Sequence, residues 1–537
     1  MKMKRICKKP KHGQLNPADR LSALPDEIVY RIVSFLGFKE ACRTSILSKR
    51  WKYISDTNPV MELSNEVFSA EPGREDAYIK IDSFLKYVET RMKRYSKQKL
   101  HIKKLTLGFP IQRMRFRNTK VALEDKAEQW VKIAVCNQVE ELVLIGPKNY
   151  EMSDTLLTAK SLRCLDCSYL EIYDYKGLEL FPFLESLFFD EVYVDDPMLN
   201  RIISSCPLLK HFSLTRCSCR MESVKSIVIP CNSKLETLNL SKSLSKDEGT
   251  VTIDTSSLTS FQYIGDLRSW DVHGGRWPVI SKDGFLRNLR ILKIGFVSIC
   301  DEVLGKLLSE LTLLETLKLC NCSMLKTIRI SSALLKEVRL EYCADLLDVS
   351  VDAPCLETFK YKGDFKPSMC INSQAGCDIS FHIPPSSFRA ENFSKMKELL
   401  KGLRNCHVFK ILLLDEPAEP DKDGIFDINL GEEKLADAHL GPPCDIRELK
   451  LTLSSWIFCK SYLSVLLDGV FWTCHPRIFS LRANLRAPNR MIEALVSRLN
   501  EMANCWKHPL KRVEVEGANC SDLLKTKKLD LQLRLHW

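Results

Sequence analysis

The chain lacks a long apolar run and a leader-like start. Across its 537 residues no uninterrupted apolar stretch reaches about 18 residues, the length that indicates a membrane-spanning helix. The basic segment from Met1 to Lys11 replaces the apolar core that a secretory signal needs. These absences exclude the membrane and secretory classes, so we expect a protein that acts in the cytoplasm, the nucleus or both.

The motifs of the common enzyme classes are also missing. The sequence has no G-x-S-x-G elbow, no P-loop, no glycine-rich dinucleotide turn and no H-E-x-x-H helix. Cysteine and histidine are present, but no local pattern pairs them as nucleophile and base. We therefore expect a protein that is not an enzyme and needs no cofactor.

Neither the charge nor the cysteines indicate a ligand class. The net charge of +11 is modest, and after the first dozen residues no dense basic helix with interleaved aromatics appears, so we expect no nucleic-acid partner. Without a secretory signal, the 22 cysteines should be thiols. The pair Cys164 and Cys167 has the C-x-x-C spacing, but no second pair at zinc-finger spacing supports a metal site. Residues 1–18 predict a disordered basic start, with a nuclear address as the alternative.

What the sequence does have is a patterned apolar segment close to its start. Pro25 precedes Asp26 and Glu27, an arrangement typical of a first helical turn. Apolar residues then recur at helical spacing as far as Leu36, and Gly37 is placed to end the helix. A second helix is predicted from Lys39 to Tyr53. Because about 35 residues cannot bury much of their own surface, their apolar faces need a partner, which is either a binding protein or the rest of the chain.

The details of this segment resemble an F-box, in the version common in plant F-box proteins. The resemblance runs from Asp19 to Ile54 and rests on three stretches, namely Leu24 to Ile28, Phe35-Leu36, and Arg43 to Trp51. It implies binding to the Skp-type adaptor of a cullin-based SCF ubiquitin ligase. The adaptor-binding residues expected from this resemblance are Leu24, Pro25, Ile28, Ile32, Leu36, Ile46, Leu47 and Trp51.

A repeated unit fills the middle of the chain. From Ile102 to Tyr361 an apolar residue is followed at the third and fifth positions after it by two more, as in Leu314, Leu317 and Leu319. From Leu162 onward most units begin 21 to 26 residues apart, which is the signature of leucine-rich repeats. Position nine of that pattern favours Asn or Cys, which explains Cys217, Cys322 and Cys343 as structural thiols.

The intervals between these units predict what covers the other side of the sheet. Helices are predicted at Ala127 to Cys136 and Asp195 to Cys206, and both segments resemble plant F-box proteins with leucine-rich repeats. From Leu314 to Leu356 the intervals are too short for regular helices, so loops or single helical turns are expected. An FBD-type module, which many plant relatives carry at the C-terminus, cannot be matched cleanly here.

These patterns predict an α/β protein, in which a small all-α F-box module precedes a leucine-rich-repeat solenoid with a curved parallel sheet and convex helices and loops. The expected organisation is a basic start (1–18), the F-box (19–64), repeats (79–363), an irregular segment with an acidic loop (364–440), and C-terminal repeats with a cap (441–537). The inner face of the sheet should present a mixed, slightly basic set of charges.

The resulting functional prediction is a substrate receptor of an SCF-type ubiquitin ligase. The F-box would bind the Skp-type adaptor and through it the cullin ligase, while the repeats would bind an unidentified target protein. Two alternatives are a ligase-independent scaffold and, less favoured, a receptor for a small anionic ligand held by lysines and arginines.

Overall fold

The computed structural model describes most of the chain in segments. The described residues are 24–36, 38–64, 76–109, 117–152, 154–157, 159–173, 180–219, 222–230, 234–244, 249–265, 275–281, 285–364, 366–374, 376–384, 390–402, 406–413, 443–453, 460–484, 512–518 and 528–536. The predicted basic start, the acidic loop at 415–434 and the cap at Gly37 lie outside these segments. Residues 491–506, an apolar segment that predicts a helix, also lie outside them.

The chain divides into two compact units. One comprises Met1–Tyr193 with Ser205–Leu208, and the other comprises Val194–Ser204 with Leu209–Trp537. The helices are α1 Asp26–Ser34, α2 Phe38–Arg43, α3 Lys49–Asp56, α4 Asp76–Gln98, α5 Arg117–Cys136, α6 Asp154–Leu157, α7 Asp196–Ser205, α8 Asp301–Glu310, α9 Ala390–Gly402 and α10 Lys460–Thr473. Short 3-10 helices occur at Thr44–Ile46 and Phe285–Asn288.

The first unit contains a parallel sheet. Its strands are β1 Val60–Ser64, β2 Lys104–Gly108, β3 Glu141–Glu151, β4 Cys164–Ile172 and β5 Ser186–Asp190, and each pairs with the next in chain order. The two-residue β6 Tyr193–Val194 follows. Helices α4 and α5 precede β2 and β3, so the first two repeats have regular helices, and α5 contains the helix predicted at Ala127 to Cys136.

Most strands belong to the second unit. They are β7 His211–Thr215, β8 Ser218–Cys219, β9 Glu222–Ser223, β10 Ser226–Ile229, β11 Thr237–Ser241, β12 Thr250–Ile253, β13 Ser260–Ile264, β14 Gly275–Arg276, β15 Val279–Ser281, β16 Ile291–Ser298, β17 Thr316–Ser323, β18 Thr327–Ser331, β19 Glu337–Glu341, β20 Asp348–Asp352, β21 Thr358–Lys362, β22 Ser368–Asn372, β23 Cys377–Ile383, β24 Cys406–Leu413, β25 Cys444–Leu453, β26 Cys474–Asn484, β27 Arg512–Ala518 and β28 Lys528–His536. The main sheet runs parallel in the order β7, β11, β13, β16, β17, β19, β21, β23, β24, β25, β26.

The repeat pattern places its apolar residues in the core. In every unit predicted from Ile102 to Tyr361, all three apolar positions are at most 3% exposed. The residues between them are partly exposed on the other face of the sheet, as the two-residue period of a strand requires. The α/β leucine-rich-repeat fold class predicted from the sequence is therefore confirmed.

The covering elements differ from the prediction in the short repeats. Where loops or helical turns were expected after Leu314, the chain forms the strands β18, β20 and β22, which pair in parallel as a second small sheet. Strands β10, β12 and β15 form a similar sheet earlier in the unit. A short interval leaves room for an extended segment, and stacked repeats allow such segments to pair with one another.

Two further differences concern the C-terminal half. Residues 365–392 were expected to carry no repeat, but β22 and β23 lie there, and β23 continues the main sheet between β21 and β24. The strand expected at Val408 to Leu413 is present in β24, where Phe409, Ile411 and Leu413 are buried. At the end of the sheet β28 pairs antiparallel with both β26 and β27.

A strained turn recurs at the end of the inner strands. The eighth residue of several repeats has a positive φ angle, between 48° and 65° at Tyr169, Glu191, Arg216, Lys242, Phe296, Asn321 and Tyr342. This conformation is uncommon for residues other than glycine. The next residue is buried beneath the turn at Cys217, Cys322 and Cys343, and each thiol lies 3.5 to 3.9 Å from a backbone carbonyl. The structural explanation of these cysteines is therefore confirmed.

Two covering helices begin with an aspartate that holds the strand beside it. Asp301, the first residue of α8, accepts hydrogen bonds from the backbone N–H groups of Lys326 and Thr327 at 2.7 and 3.0 Å and from the Thr327 hydroxyl at 2.7 Å. Asp196, the first residue of α7, accepts from the N–H groups of Lys225 and Ser226. Each carboxylate therefore joins a helix N-terminus to a covering strand.

Replacing Asp301 by alanine should destabilise the repeats by about 2 to 3 kcal/mol, because hydrogen bonds to a charged acceptor are lost. Although burial favours the neutral acid, the hydrogen bonds from Thr327 and Lys326 lower the pKa of the Asp301 carboxyl. A carboxyl whose pKa is lowered by folding stabilises the fold at pH values above its unfolded pKa of about 4, and this stabilisation is lost as the pH falls. The difference in stability between wild type and Asp301→Ala should therefore shrink below about pH 4.

Hydrogen exchange of the β18 amides, followed with pH, measures this effect. Glu302→Ala is the matched control, since Glu302 lies in the same first turn but its side chain is exposed. Equal deprotection of β18 in both variants would show that Asp301 acts only through the helix dipole.

Candidate functional site

The first three helices form a small module with its own core. Val29 and Val33 from α1, Ala41 from α2, and Trp51 and Ile54 from α3 form a buried cluster, against which Leu24 and Tyr30 pack in part. The acids at the start of α1 and the apolar residues at positions 29 and 33 explain why this segment is helical and which face is buried.

The second predicted helix is broken. Instead of one helix from Lys39 to Tyr53, α2 ends at Arg43, a 3-10 turn follows, and α3 begins at Lys49. The Ser48 hydroxyl accepts a hydrogen bond from the Trp51 N–H at 3.2 Å and so acts as the N-cap of α3. The break creates a corner, and its last two residues before Ser48 are Ile46 and Leu47.

Large apolar side chains are exposed on this module. Ile46 is 86% exposed, Leu47 is 60% exposed and Phe35, after the end of α1, is 79% exposed. Ile28 and Leu36 are exposed as well. Single exposed apolar residues are ordinary, whereas several within one small module make it a candidate contact surface. We call these five residues the exposed apolar set.

The structure divides the eight residues that the F-box resemblance suggested for adaptor binding. Ile28, Leu36, Ile46 and Leu47 are exposed together with Pro25, whereas Ile32 and Leu24 are partly buried. Trp51 is 5% exposed and lies in the module's core, so its expected contact with an adaptor stays a prediction. Phe35 was not among the eight, although its place directly before Leu36 at the end of an apolar helix could have suggested it.

Polar contacts fix the start of α1 to α3. Arg50 donates from Nε to Asp26 Oδ1 at 2.7 Å and from Nη2 to the backbone carbonyl of Leu24. The Tyr30 and Thr57 hydroxyls are 2.7 Å apart. These contacts hold Pro25 and Ile28 in place relative to the Ile46 corner.

The module is also fastened to the first long helix, α4. Arg91 on α4 is buried, and its guanidinium reaches Asp56 Oδ1 at 3.1 Å and the Ser55 carbonyl at 3.1 Å. Arg94 reaches the other Asp56 oxygen at 2.5 Å. The Tyr95 hydroxyl donates to the Asn58 carbonyl at 2.5 Å, and burial raises the pKa of Tyr95, which therefore stays a donor. The end of α3 is thus tied to the repeat that begins with α4.

The exposed face of the sheets carries the mixed charges expected from the sequence. In the first unit Arg163 pairs with Glu185 at 2.7 Å and Lys104 with Glu141 at 3.5 Å. Asp166 lies on the same sheet, and burial together with the nearby Asp190 raises the pKa of its carboxyl. The charges of this face therefore interact with one another as well as with solvent.

The C-x-x-C pair does not form a site. Leu165 and Cys167 point into the core, and Cys164 lies on the opposite face of β4, so the two thiols project to different sides of the strand. Burial raises the pKa of both thiols, which keeps them protonated. Among the described residues no group of three or more His, Cys, Asp or Glu side chains could hold a metal ion.

The helices within the described segments include none that is both long enough and apolar enough to cross a membrane. A three-helix module with an exposed apolar set, followed by stacked parallel repeats, defines the class of F-box proteins with leucine-rich repeats.

Comparison with known families agrees with this class. The F-box domain matches residues 21–63, and the leucine-rich-repeat domain described as At1g61320/AtMIF1 matches residues 95–275 and 277–406. Because the repeat domain covers more than half of the chain, the chain belongs to this leucine-rich-repeat family, and it carries an F-box. The resemblance read from the sequence is confirmed.

Several relatives come from Arabidopsis thaliana. The putative F-box/LRR-repeat protein At4g15060 is 26% identical over 318 residues, which are 57% of this chain and 68% of the relative. The FBD-associated F-box protein At4g10400 is 28% identical over 251 residues, 46% of this chain and 56% of the relative. The F-box/FBD/LRR-repeat protein At5g56420 is 27% identical over 355 residues, 64% of this chain and 77% of the relative. Both domains are protein-interaction modules, so the chain has a role in protein interaction.

Proposed function

We propose that this chain is the substrate-recognition subunit of an SCF-type cullin ubiquitin ligase. The F-box binds a Skp-type adaptor and through it the cullin, and the repeats bind a target protein that is then ubiquitinated. The ubiquitin-transfer chemistry belongs to partner subunits, so this subunit is non-catalytic and acts in the cytoplasm or nucleus. The observation that supports the proposal best is the exposed apolar set on the F-box module.

The corner at Ile46 and Leu47 is the strongest feature of this set. Both side chains are mostly exposed and adjacent, and the capped start of α3 fixes their position. An apolar anchor held on a rigid element loses little conformational entropy on binding. The module's core is formed by other residues, among them Val29, Val33 and Trp51, so contact of the exposed set with an adaptor would not require loss of the fold.

The test is co-purification of the full chain with a Skp-type adaptor, using wild type beside Ile46→Ala/Leu47→Ala. We expect the double variant to bind about thirtyfold more weakly, since two interface anchors are truncated at a cost of about 2 kcal/mol or more. These residues suit the test better than Leu24, which packs against the module's core and whose loss would also disturb the fold.

The matched control is Val303→Ala/Leu347→Ala, which truncates two exposed apolar residues of the repeats. Its adaptor capture should equal that of wild type. Failure of the folded wild-type chain to capture adaptor would overturn the proposal and favour a ligase-independent scaffold. Once a target is known, the ligase proposal requires that its turnover depend on the adaptor. The scaffold alternative requires that its turnover be independent of the adaptor.

A further inference from the structure

The main sheet of the second unit carries a row of cations in exact cross-strand register. On its exposed face, Lys293 of β16 is paired in register with Lys318 of β17. Lys318 is paired with Arg339 of β19, and Arg339 with Lys360 of β21. The neutral Ser380 of β23 follows Lys360 in this register, and beyond it the row continues with further cations. The later members are Lys410 of β24 and Lys450 of β25, followed by Ser480 of β26. We call the six cations, Lys293, Lys318, Arg339, Lys360, Lys410 and Lys450, the cationic row.

No acid interrupts this row within the described strands. Before Lys293 the same level of the sheet is occupied by Ser213, Asn239 and Gln262, all neutral. Like charges directly opposite one another on neighbouring strands destabilise a sheet. Four consecutive cations therefore oppose the stability of the fold, and a local conflict of this kind indicates a functional surface.

A neighbouring level of the same repeats shows the arrangement that stability alone favours. One residue before each inner strand, the charges alternate as Arg290, Glu315, Lys336 and Glu357. Arg290 and Lys336 both pair with Glu315, the latter at 2.9 Å, and these hydrogen bonds lower the pKa of the Glu315 carboxyl. At this outer level acids and bases alternate from strand to strand, whereas the cationic row has only cations and neutral residues at its own level.

Carboxylates beside the row neutralise only part of it. Glu337 pairs with Lys318 at 3.5 Å and with Arg339, and Asp378 pairs with Lys410 at 3.1 Å. Glu448 pairs with Lys450 at 3.2 Å.

The structure shows no such pair for Lys293 or Lys360 among the residues that it describes. Burial and the ammonium groups of Lys360 and Lys362 lower the pKa of His382, on β23, to about 4. His382 therefore stays neutral near pH 7, and the charge of this part of the face comes from its lysines.

From these observations we propose that the cationic row seats an extended acidic segment of the target protein. The inference rests on the proposed function, because it names the chemistry of the target that the repeats recognise. From Lys293 to Lys450 the row crosses seven strands, which at about 4.8 Å per strand is roughly 30 Å. An extended peptide of about nine residues covers that length, at about 3.3 Å per residue, whereas a small anion would span only two or three strands.

The experiment measures binding of a fluorescent nine-residue polyglutamate peptide to the full chain by anisotropy at low salt. Polyglutamine serves as the neutral probe. Lys293→Gln/Lys360→Gln should weaken binding of the glutamate peptide about tenfold, since two charge pairs are lost. The matched control Lys306→Gln/Arg329→Gln removes the same charge from α8 and β18, outside the row, and should leave binding unchanged.

Three results would overturn the inference: no preference for polyglutamate over polyglutamine, equal weakening by both variants, or tighter row-dependent binding of a single-stranded oligonucleotide of equal charge. The peptide assay contains no adaptor, and adaptor capture is measured on the same variants. Peptide binding without adaptor capture would leave the row as an acidic-peptide site and overturn only the ligase proposal. Adaptor capture without peptide binding would overturn the acidic-peptide site and leave the ligase proposal standing.

Discussion

Replacing Trp51 by alanine should unfold the F-box module while the repeats stay folded. The indole is buried among Val29, Val33 and Ile54, and truncating a buried tryptophan typically costs about 3 to 5 kcal/mol. A core of so few residues has little stability to spare. Hydrogen exchange of residues 26–56 should therefore rise to the level of an unfolded segment, whereas the amides of β16 to β21 should keep the protection seen in wild type.

This prediction separates the core of the module from its surface. Ile46→Ala/Leu47→Ala should leave exchange of residues 26–56 unchanged and weaken only adaptor capture, because both side chains are exposed. Trp51→Ala should impair both. If Trp51→Ala left the exchange of residues 26–56 unchanged but lost adaptor capture, the indole would be a contact residue, as the F-box resemblance suggested, and its buried placement would be wrong.

The helix α1 shows how far the sequence could predict the candidate site. Two apolar stripes run along it and just past its end: Val29 and Val33 face the core, while Ile28 and Leu36, which follows the helix, are exposed. Both stripes have helical spacing, so periodicity predicts the helix but not which stripe is buried. The choice depends on how α3 packs, and α3 in turn depends on the break at Ser48, which a run of helix-compatible residues conceals.

The repeats were easier to predict because each unit repeats the same buried triplet. The pattern failed where a residue type broke it. In β23 the first position of the triplet is Gly376 rather than an apolar residue, so Ile379 and Phe381 were not recognised as a repeat. At the end of the sheet, the strict alternation of leucines from Leu529 to Leu535 is a strand signal that does not follow the repeat spacing.

Changing Asp56 to asparagine should loosen the connection between the F-box module and α4. The side chain of Arg91 is only 7% exposed, and Asp56 is the carboxylate that balances its charge. Removing one partner of a buried ion pair typically costs about 3 to 5 kcal/mol, because the remaining charge stays buried without compensation. We expect faster hydrogen exchange at the end of α3 and along α4, with little change at the Ile46 corner.

Two further variants test whether the buried charge is the cause. Asp56→Asn/Arg91→Met removes both charges, and since apolar groups can replace a buried ion pair at little cost, it should be more stable than Asp56→Asn alone. Glu89→Gln breaks the exposed pair with Lys93 at 2.6 Å on the surface of α4 and should leave the stability close to that of wild type. A double variant no more stable than the single one would assign the effect to lost hydrogen bonds instead.

The connection between the F-box module and α4 matters for the proposed ligase because the chain would contact the adaptor and the target through different elements. The exposed apolar set lies on the F-box module, and α4 begins the repeat that follows it. If Asp56 and Arg91 keep these elements in a fixed orientation, Asp56→Asn should retain adaptor capture yet lower the rate at which a bound target is ubiquitinated. An unchanged rate in a reconstituted ligase, together with loosened exchange at α3 and α4, would show that the orientation at this joint does not limit transfer.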